Sequence, residues 1–291
     1  MCEERIAGEI LEDCKAVRFY GRKIRYLSLV SIRIEIWQSD VWLSSATGFL
    51  LKQGDKYHLI SNWHVFSGRN TVTGQPLDGK GCIPDKIVAK LHDAELSSKS
   101  EPPATFQEAT IMLYDQERPL WKAHPMGQDV DVAALTLNAG QLSQKILPAP
   151  VNLSDEASEW DMRTGNEVFV VGFPGNVATQ LDLPIWKRGT IASEPLLNDK
   201  SEGGKFLIDS ATRQGLSGSP VYAFRRGGVI FRDGRFEDVP HRFVFIGVYS
   251  GRINDNDAFA AQIGIVWHLG FIAEVVKNSF PGGGYEIRNP A

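Results

Sequence analysis

The sequence predicts an all-β protein made of two six-stranded antiparallel β-barrels, with a short N-terminal helical extension and a C-terminal helix. Three observations carry that expectation. Short apolar runs bounded by glycine, proline, asparagine and aspartate recur along the whole chain, the pattern of strands and turns. The runs fall into two groups of about six, the number that closes a small barrel, on either side of a proline-rich, acidic stretch at 147–165. No alternation of strand with helix patterns occurs, which excludes a parallel sheet. The organisation read from this is an extension at 1–22, a first barrel at 23–146, a linker at 147–165, and a second barrel with its terminal helix at 166–291.

At 291 residues, 43% hydrophobic and 23% charged, the chain can bury a sizeable core. Its net charge of −4, with scattered Lys and Arg, gives no footprint for nucleic acid or for an anionic membrane surface. No uninterrupted apolar stretch reaches the length that spans a bilayer. Cys2, Cys14 and Cys82 form an odd set without metal-ligand spacing. They predict neither a disulfide framework nor a metal site, and point to a reducing compartment. The start, Met1-Cys2-Glu3-Glu4-Arg5, lacks the basic and apolar segments of a secretory signal, so a cytoplasmic location is expected.

Taken in order, Ile6, Ile10, Leu11, Cys14 and Val17 have helical spacing over residues 1 to about 20, a segment suited to docking on the body or on a protein partner. From Lys23 to Trp37 the pattern turns to strand, with Val30, Ile32 and Ile34 on one face. Thr47 to Leu51 and Tyr57 to Ser61 flank a Gly54-Asp55 turn and read as a hairpin. His64 follows at once, just past a buried strand, where a loop side chain is held yet reaches a cleft. Further strands are read at 87–91 and 110–114, separated by a loop at 95–108. Asp129 and Asp131 open the apolar run Val132 to Leu137. A carboxylate at a core edge needs a hydrogen-bond donor such as an imidazole N–H. Both acids read onto the same strand face, and the pattern does not choose between them.

The second half opens at Val168 to Gly175, continues through Gly189-Thr190-Ile191 and Phe206-Leu207-Ile208, and ends with Leu269 to Lys277 at helical spacing. Within it lies Gln214-Gly215-Leu216-Ser217-Gly218-Ser219-Pro220. Glycines on both sides leave room around the Ser217 hydroxyl and permit backbone angles that turn N–H groups inward. The amides of Gly215 and Ser217 are placed to hold the oxyanion formed when a hydroxyl attacks a carbonyl. A glycine-serine turn alone is structural, and so is a lone histidine. His64, Asp131 and Ser217 together, two in one half and one in the other, describe a site in a cleft between barrels.

These pieces resemble the trypsin-like (chymotrypsin-fold) serine peptidases, closest to the bacterial-type trypsin-like peptidase domains. The matching segments are Thr47-Gly48-Phe49, Ser61-Asn62-Trp63-His64-Val65, Asp131-Val132-Ala133-Ala134-Leu135, Val168 to Gly175, Gly189-Thr190-Ile191 and Gln214 to Pro220. Their order covers about residues 25–275. The resemblance implies Asp131 rather than Asp129 as the acid, Ser217 as nucleophile, His64 as general base, Gly215 and Ser217 as oxyanion donors, a polypeptide substrate and no cofactor. It also implies a pocket at Ala211, Thr212 and Gln214, with Tyr249-Ser250-Gly251 as one wall and Gly264 in the other. Leu216 stands where secreted trypsin-type enzymes have an acid that pairs with a freed N-terminus, so activation by N-terminal clipping is not expected. Ala211 at the pocket floor predicts a neutral residue before the cleaved bond, since a buried unpaired Lys or Arg is costly. The competing expectations are a latent binding module of the same fold, and an esterase using the same chemistry.

Overall fold

A computed structural model describes residues 16–19, 22–92, 106–137, 150–151, 153, 159–179, 182–195, 204–253, 262–278 and 280–282. Most of the expected N-terminal helix lies outside these residues, as does the bulk of the 95–108 loop. The described end of the extension is a strand: Ala16–Phe19 pairs antiparallel with Arg22–Arg25 across a two-residue connection. Helical spacing there yields to backbone pairing with the next segment. The strand expected from Lys23 is likewise interrupted. Leu27–Val30 makes one helical turn, which buries Leu27, Leu29 and Val30 together, before Ser31–Gln38 runs extended. In that strand Ile32, Ile34 and Ile36 share the buried face.

The two halves differ in closure. The second is a closed six-stranded antiparallel barrel, in the order Glu167–Gly172, Ile185–Ile191, Lys205–Asp209, Ile263–His268, His241–Arg252 and Pro220–Arg226. The first is a nine-stranded sheet that does not close among the described residues. Its path runs Phe280–Pro281, Trp121–Ala123, Ala133–Leu137, Lys56–Ser61, Val41–Gln53, Ser31–Gln38, Lys86–His92 and Phe106–Met112, with Pro150–Val151 added in parallel to Val41–Gln53. The expected all-β, barrel-based fold is present, with its closed six-stranded barrel in the second half; the sheet of the first half carries more strands than the six expected. The physical reason is that the edge at Trp121–Ala123 is taken by the returning chain end, which pairs as Lys122↔Pro281 and Ala123↔Phe280. Gly282 continues that pairing by donating to Trp121 O, and a Cβ on it would lie 2.2 Å from the indole.

Three apolar clusters form among the described residues. One fills the first sheet around Ile34, Leu59 and Trp121, and another fills the barrel around Val170, Ile208 and Ile246. The third lies between them and joins Phe49, Leu51 and Ile60 to Val171, Tyr222 and Phe245. The terminal helix Leu269–Asn278 seals it with Ile272, Val275 and Val276. Strand Val41–Gln53 is buried without interruption from Ala46 to Leu51 because one face meets each of two cores. Phe49 and Phe245 meet edge to face across the junction, centroids 5.4 Å apart. Such rings contribute about 1.5–3 kcal/mol each by leaving water, so the two halves are docked by the strand next to the site.

Candidate active site

His64 sits on the short helix Trp63–Ser67, which follows the strand Lys56–Ser61. Trp63, Val65 and Phe66 sink into the first core, leaving the His64 side chain turned away and 20% exposed. Gly68 ends the turn at φ +65°, its N–H on His64 O, and a Cβ there would lie 2.2 Å from Pro84 Cδ. Asp131 lies between the 3-10 turn Gly127–Asp129 and the strand Ala133–Leu137. Neither acid is on the strand itself, so the shared face expected for Asp129 and Asp131 does not exist. Val130 and Val132 are buried in the inter-barrel core, and the side chain between them takes the other direction. The pairing Ala133↔Ser61 and the bond from Asn62 Nδ2 to Asp131 O (2.7 Å) then set Asp131 beside His64.

The Asp131 carboxylate is fully engaged. Oδ1 accepts the His64 backbone N–H at 2.8 Å, and Oδ2 accepts the His64 ring at Nδ1 (2.6 Å) and the Ser250 hydroxyl. Burial pushes this carboxyl up, but the adjacent imidazolium charge and these hydrogen bonds outweigh it and hold it below the usual range. An ionised carboxylate only accepts, so His64 Nδ1 carries a proton, and the neutral form of the ring presents its lone pair at Nε2.

Ser217 comes from the other half, on the loop ahead of strand Pro220–Arg226. Leu216 is anchored in the barrel core, while Ser217 remains partly exposed. Gly215 and Gly218 adopt φ of +90° and +83°, which glycine alone takes without strain. Contact enforces the second glycine as well: a Cβ at Gly218 would lie 2.0 Å from Thr47 O. Among the described residues, the amides of Gly215 and Ser217 donate to no acceptor.

The two halves meet through Ser250. Its carbonyl accepts the Ser217 hydroxyl at 3.0 Å and its own hydroxyl donates to Asp131 Oδ2. Ser250 is the extra residue of a bulge between Tyr249↔Val266 and Gly251↔Ile265, and a bulge re-aims a side chain in this way. The sequence marked Ser250 only as pocket wall. Nothing in the tripeptide Tyr249-Ser250-Gly251 signals a carboxylate partner 119 residues away. The Ser217 proton is directed at the Ser250 carbonyl in this conformation, not at the imidazole.

The expected pocket residues are arranged unlike an open pocket. Thr212 and Tyr249 are both 2% exposed and bond to each other through their hydroxyls at 2.5 Å. The Tyr249 ring covers Gly264, where a Cβ would lie 2.6 Å from it. Ala211 and Gln214 are exposed, so Ala211 is not a buried floor. Gly251 faces open space, with nothing within 4 Å of a Cβ placed on it. No group of three His, Cys, Asp or Glu able to hold a metal occurs among the described residues.

Several solved structures align with this chain. The active form of the Rv3671c protease from M. tuberculosis is 16% identical, over 89% of this chain and 83% of that one, with a TM-score of 0.44. Its inactive form is 17% identical, over 87% and 90%, also at 0.44. The serine endoprotease from Yersinia pestis is 13% identical, over 86% of this chain and 62% of that one, at 0.47. No curated protein matches. The model of the trypsin-like peptidase domain matches residues 46–230, a span holding His64, Asp131 and Ser217 and well over half of the sequence. The chain belongs to the trypsin-like peptidase domain family.

Proposed function

We propose that this protein is a serine endopeptidase in which Ser217, His64 and Asp131 act as nucleophile, general base and orienting acid. The observation that carries the reading is the buried Asp131 carboxylate that accepts both the backbone N–H and the ring of His64, with Ser217 of the other half brought up beside it on a loop whose Gly215 and Ser217 amides have no acceptors among the described residues. In the reaction Ser217 Oγ turns from the Ser250 carbonyl to His64 Nε2, gives up its proton there, and bonds to the scissile carbonyl carbon. The carbonyl oxygen takes the negative charge and is met by the N–H groups of Gly215 and Ser217. Such a donor is worth about 10²–10³ in kcat in other serine proteases. Asp131 stabilises the imidazolium, which then protonates the leaving amine as the C–N bond breaks. Water then bonds to the acyl carbon as it gives a proton to Nε2, and the bond to Ser217 Oγ breaks as that proton passes to Oγ, releasing the acid and restoring the serine.

The residue before the cleaved bond is read as small and neutral. Ala211 and Thr212 carry no charge, and the Tyr249 ring occupies the space between Thr212 and Gly264. A fluorophosphonate probe and mass spectrometry of cleavage sites in a denatured protein digest test both parts. Labelling and cleavage that vanish in Ser217→Ala, with Gly, Ala or Ser before the cut, are expected. Cleavage dominated by Arg or Lys would refute the specificity, and an unlabelled wild type would refute the activity.

One observation favours a second reading, a latent module that grips peptides without cutting them: the Ser217 hydroxyl is bonded to Ser250 O. That reading predicts peptide binding by calorimetry with no acyl-enzyme. Matched ester and amide substrates separate a peptidase from an esterase.

A further inference from the structure

We infer that Thr47, in the first half of the molecule, is the positioning residue that orders the oxyanion-binding loop of the second. The inference rests on the proposed function for its catalytic consequence, though not for its structural one. The amides of Gly215 and Ser217 are useful only if they point into the site, and two glycines at positive φ leave their loop free to turn them away. Leu216, buried and apolar, offers no charge by which the loop could be tethered.

A peptide plane carries its C=O and N–H on opposite sides, so gripping the oxygen aims the hydrogen. The oxygens around both amides are gripped. Gln214 O accepts the Gly175 N–H at 2.6 Å, which aims the Gly215 N–H away from Gly175. Leu216 O accepts the Ser219 N–H at 2.9 Å, which does the same for Ser217. The planes that follow them are held at their N–H ends by local partners, Leu216 N–H on Arg213 O (3.3 Å) and Gly218 N–H on Tyr249 O (2.8 Å), and at both carbonyl ends by Thr47. Its hydroxyl donates to Gly215 O at 2.8 Å and its backbone N–H donates to Ser217 O at 2.8 Å. Planes fixed before and after Gly215 and Ser217 leave neither residue a free rotation.

Thr47 is itself over-determined. Its hydroxyl accepts the Phe173 N–H at 3.1 Å, and Thr47 O accepts the Ser61 hydroxyl at 2.9 Å. It is wholly buried, so water does not stand in for a lost bond. Removing the hydroxyl strands a buried carbonyl and a buried N–H, a loss of the full desolvation penalty at each. Strand Lys56–Ser61, paired with the strand that carries Thr47, leads directly into His64. Docking of the two halves and formation of the oxyanion site are therefore one event.

The test uses the full chain with Thr47→Val, which keeps shape and backbone N–H but loses the hydroxyl, and Thr47→Ser, which restores it. Two readouts are needed. Amide hydrogen exchange at Leu216, Gly218 and Ser219 is expected to accelerate at least about tenfold in the valine variant and to stay near wild type in the serine variant. For peptide hydrolysis, kcat is expected to fall about 10- to 100-fold in Thr47→Val with KM within about twofold, and Thr47→Ser to recover to within about threefold. Unchanged exchange in Thr47→Val overturns the inference whether or not the wild type cuts anything. Accelerated exchange in a wild-type-inactive protein overturns the proposed function while sustaining the ordering role. Accelerated exchange with unchanged kcat overturns the link between loop order and catalysis.

Discussion

The two halves of the site are built from different material. On the imidazole side the working groups are side chains held by side chains: Asp131 collects His64 and Ser250, and the ring tautomer follows. On the serine side the groups proposed to meet a developing charge are backbone amides, aimed by the carbonyls they are conjugated to. The first arrangement fails when an atom is deleted, because a buried charge or donor is stranded. The second fails when an atom is added, because glycine angles and close backbone approach leave no room.

The largest effects test the side chains that both halves contribute. Ser217→Ala and His64→Ala should each lower kcat on a peptide about 10⁶-fold, and the double variant should be no worse, as for groups that act as one unit. Additive losses would mean that they do not. Asp131→Asn should cost about 10⁴ in kcat, because the carboxamide replaces one accepting oxygen with an NH2 donor and leaves the ring in the wrong tautomer. Steady-state kinetics read all of these, with KM nearly constant.

A matched pair then sets addition against deletion. Gly218→Ala adds one methyl that would lie 2.0 Å from Thr47 O and 2.2 Å from Ser61 Oγ, at a φ of +83°. It should displace the loop and lower kcat about 10²–10³-fold, the scale of a lost oxyanion donor, with a lower melting temperature. Ser250→Ala deletes one hydroxyl from an acid that keeps two other hydrogen bonds. It should cost only about tenfold in kcat, the worth of one hydrogen bond to a charge. If the deletion proves the more damaging, the division between the halves is wrong.

That division also explains what was legible in the sequence. Period-two runs locate most strands, because each strand reports its own burial: Ile32 and Ile34 of the expected face do share it, whereas Val30 of the same run ends a helical turn. His64 stood out for the same local reason, a histidine where a buried strand ends. Closure of a sheet is not local. Nothing near Trp121 says that Phe280–Pro281, more than 150 residues on, will occupy its edge. Asp131 could not be told from Asp129 by pattern, since Asp129 ends a 3-10 turn that opens at Gly127 with φ +62° and Asp131 lies beyond it, so alternation does not relate the two. Thr47 passed for an ordinary strand threonine. Its bonds reach 126 and 168 residues along the chain, and a hydroxyl that holds backbone leaves no motif. The tyrosine at 249 read as pocket wall because sequence cannot say on which side of a wall a ring lies.

The smallest expected effect is on stability, and each half supplies one group to it. In the first sheet, burial holds the His58 imidazole below its ordinary value, aided by the nearby charges of Lys122 and Lys56. Its Nδ1 meets Thr136 Oγ1, and its Nε2 is buried without a partner among the described residues. At the barrel end, burial and the charge of Arg232 depress His268, whose Nδ1 accepts the Gly270 N–H. A histidine depressed in the folded state stays neutral there while the unfolded chain already binds a proton. Its contribution is therefore complete above the unfolded value of about 6.5 and is lost as pH falls through the folded value. Asp131, also depressed, acts in a separate window: its contribution is present above the unfolded carboxyl value of about 3.9 and is lost only below it. Melting temperature should thus fall from pH 7.5 to 5 before any carboxylate in the site protonates. His58→Gln and His268→Asn remove the titrating groups while keeping a hydrogen-bonding atom. Each should flatten that slope, by at most about 1.4 kcal/mol per pH unit at 25 °C. Flattening by His58→Gln alone would locate the acid sensitivity in the open sheet, and by His268→Asn alone in the closed barrel. An unchanged slope in the double variant would mean that both rings protonate as readily folded as unfolded.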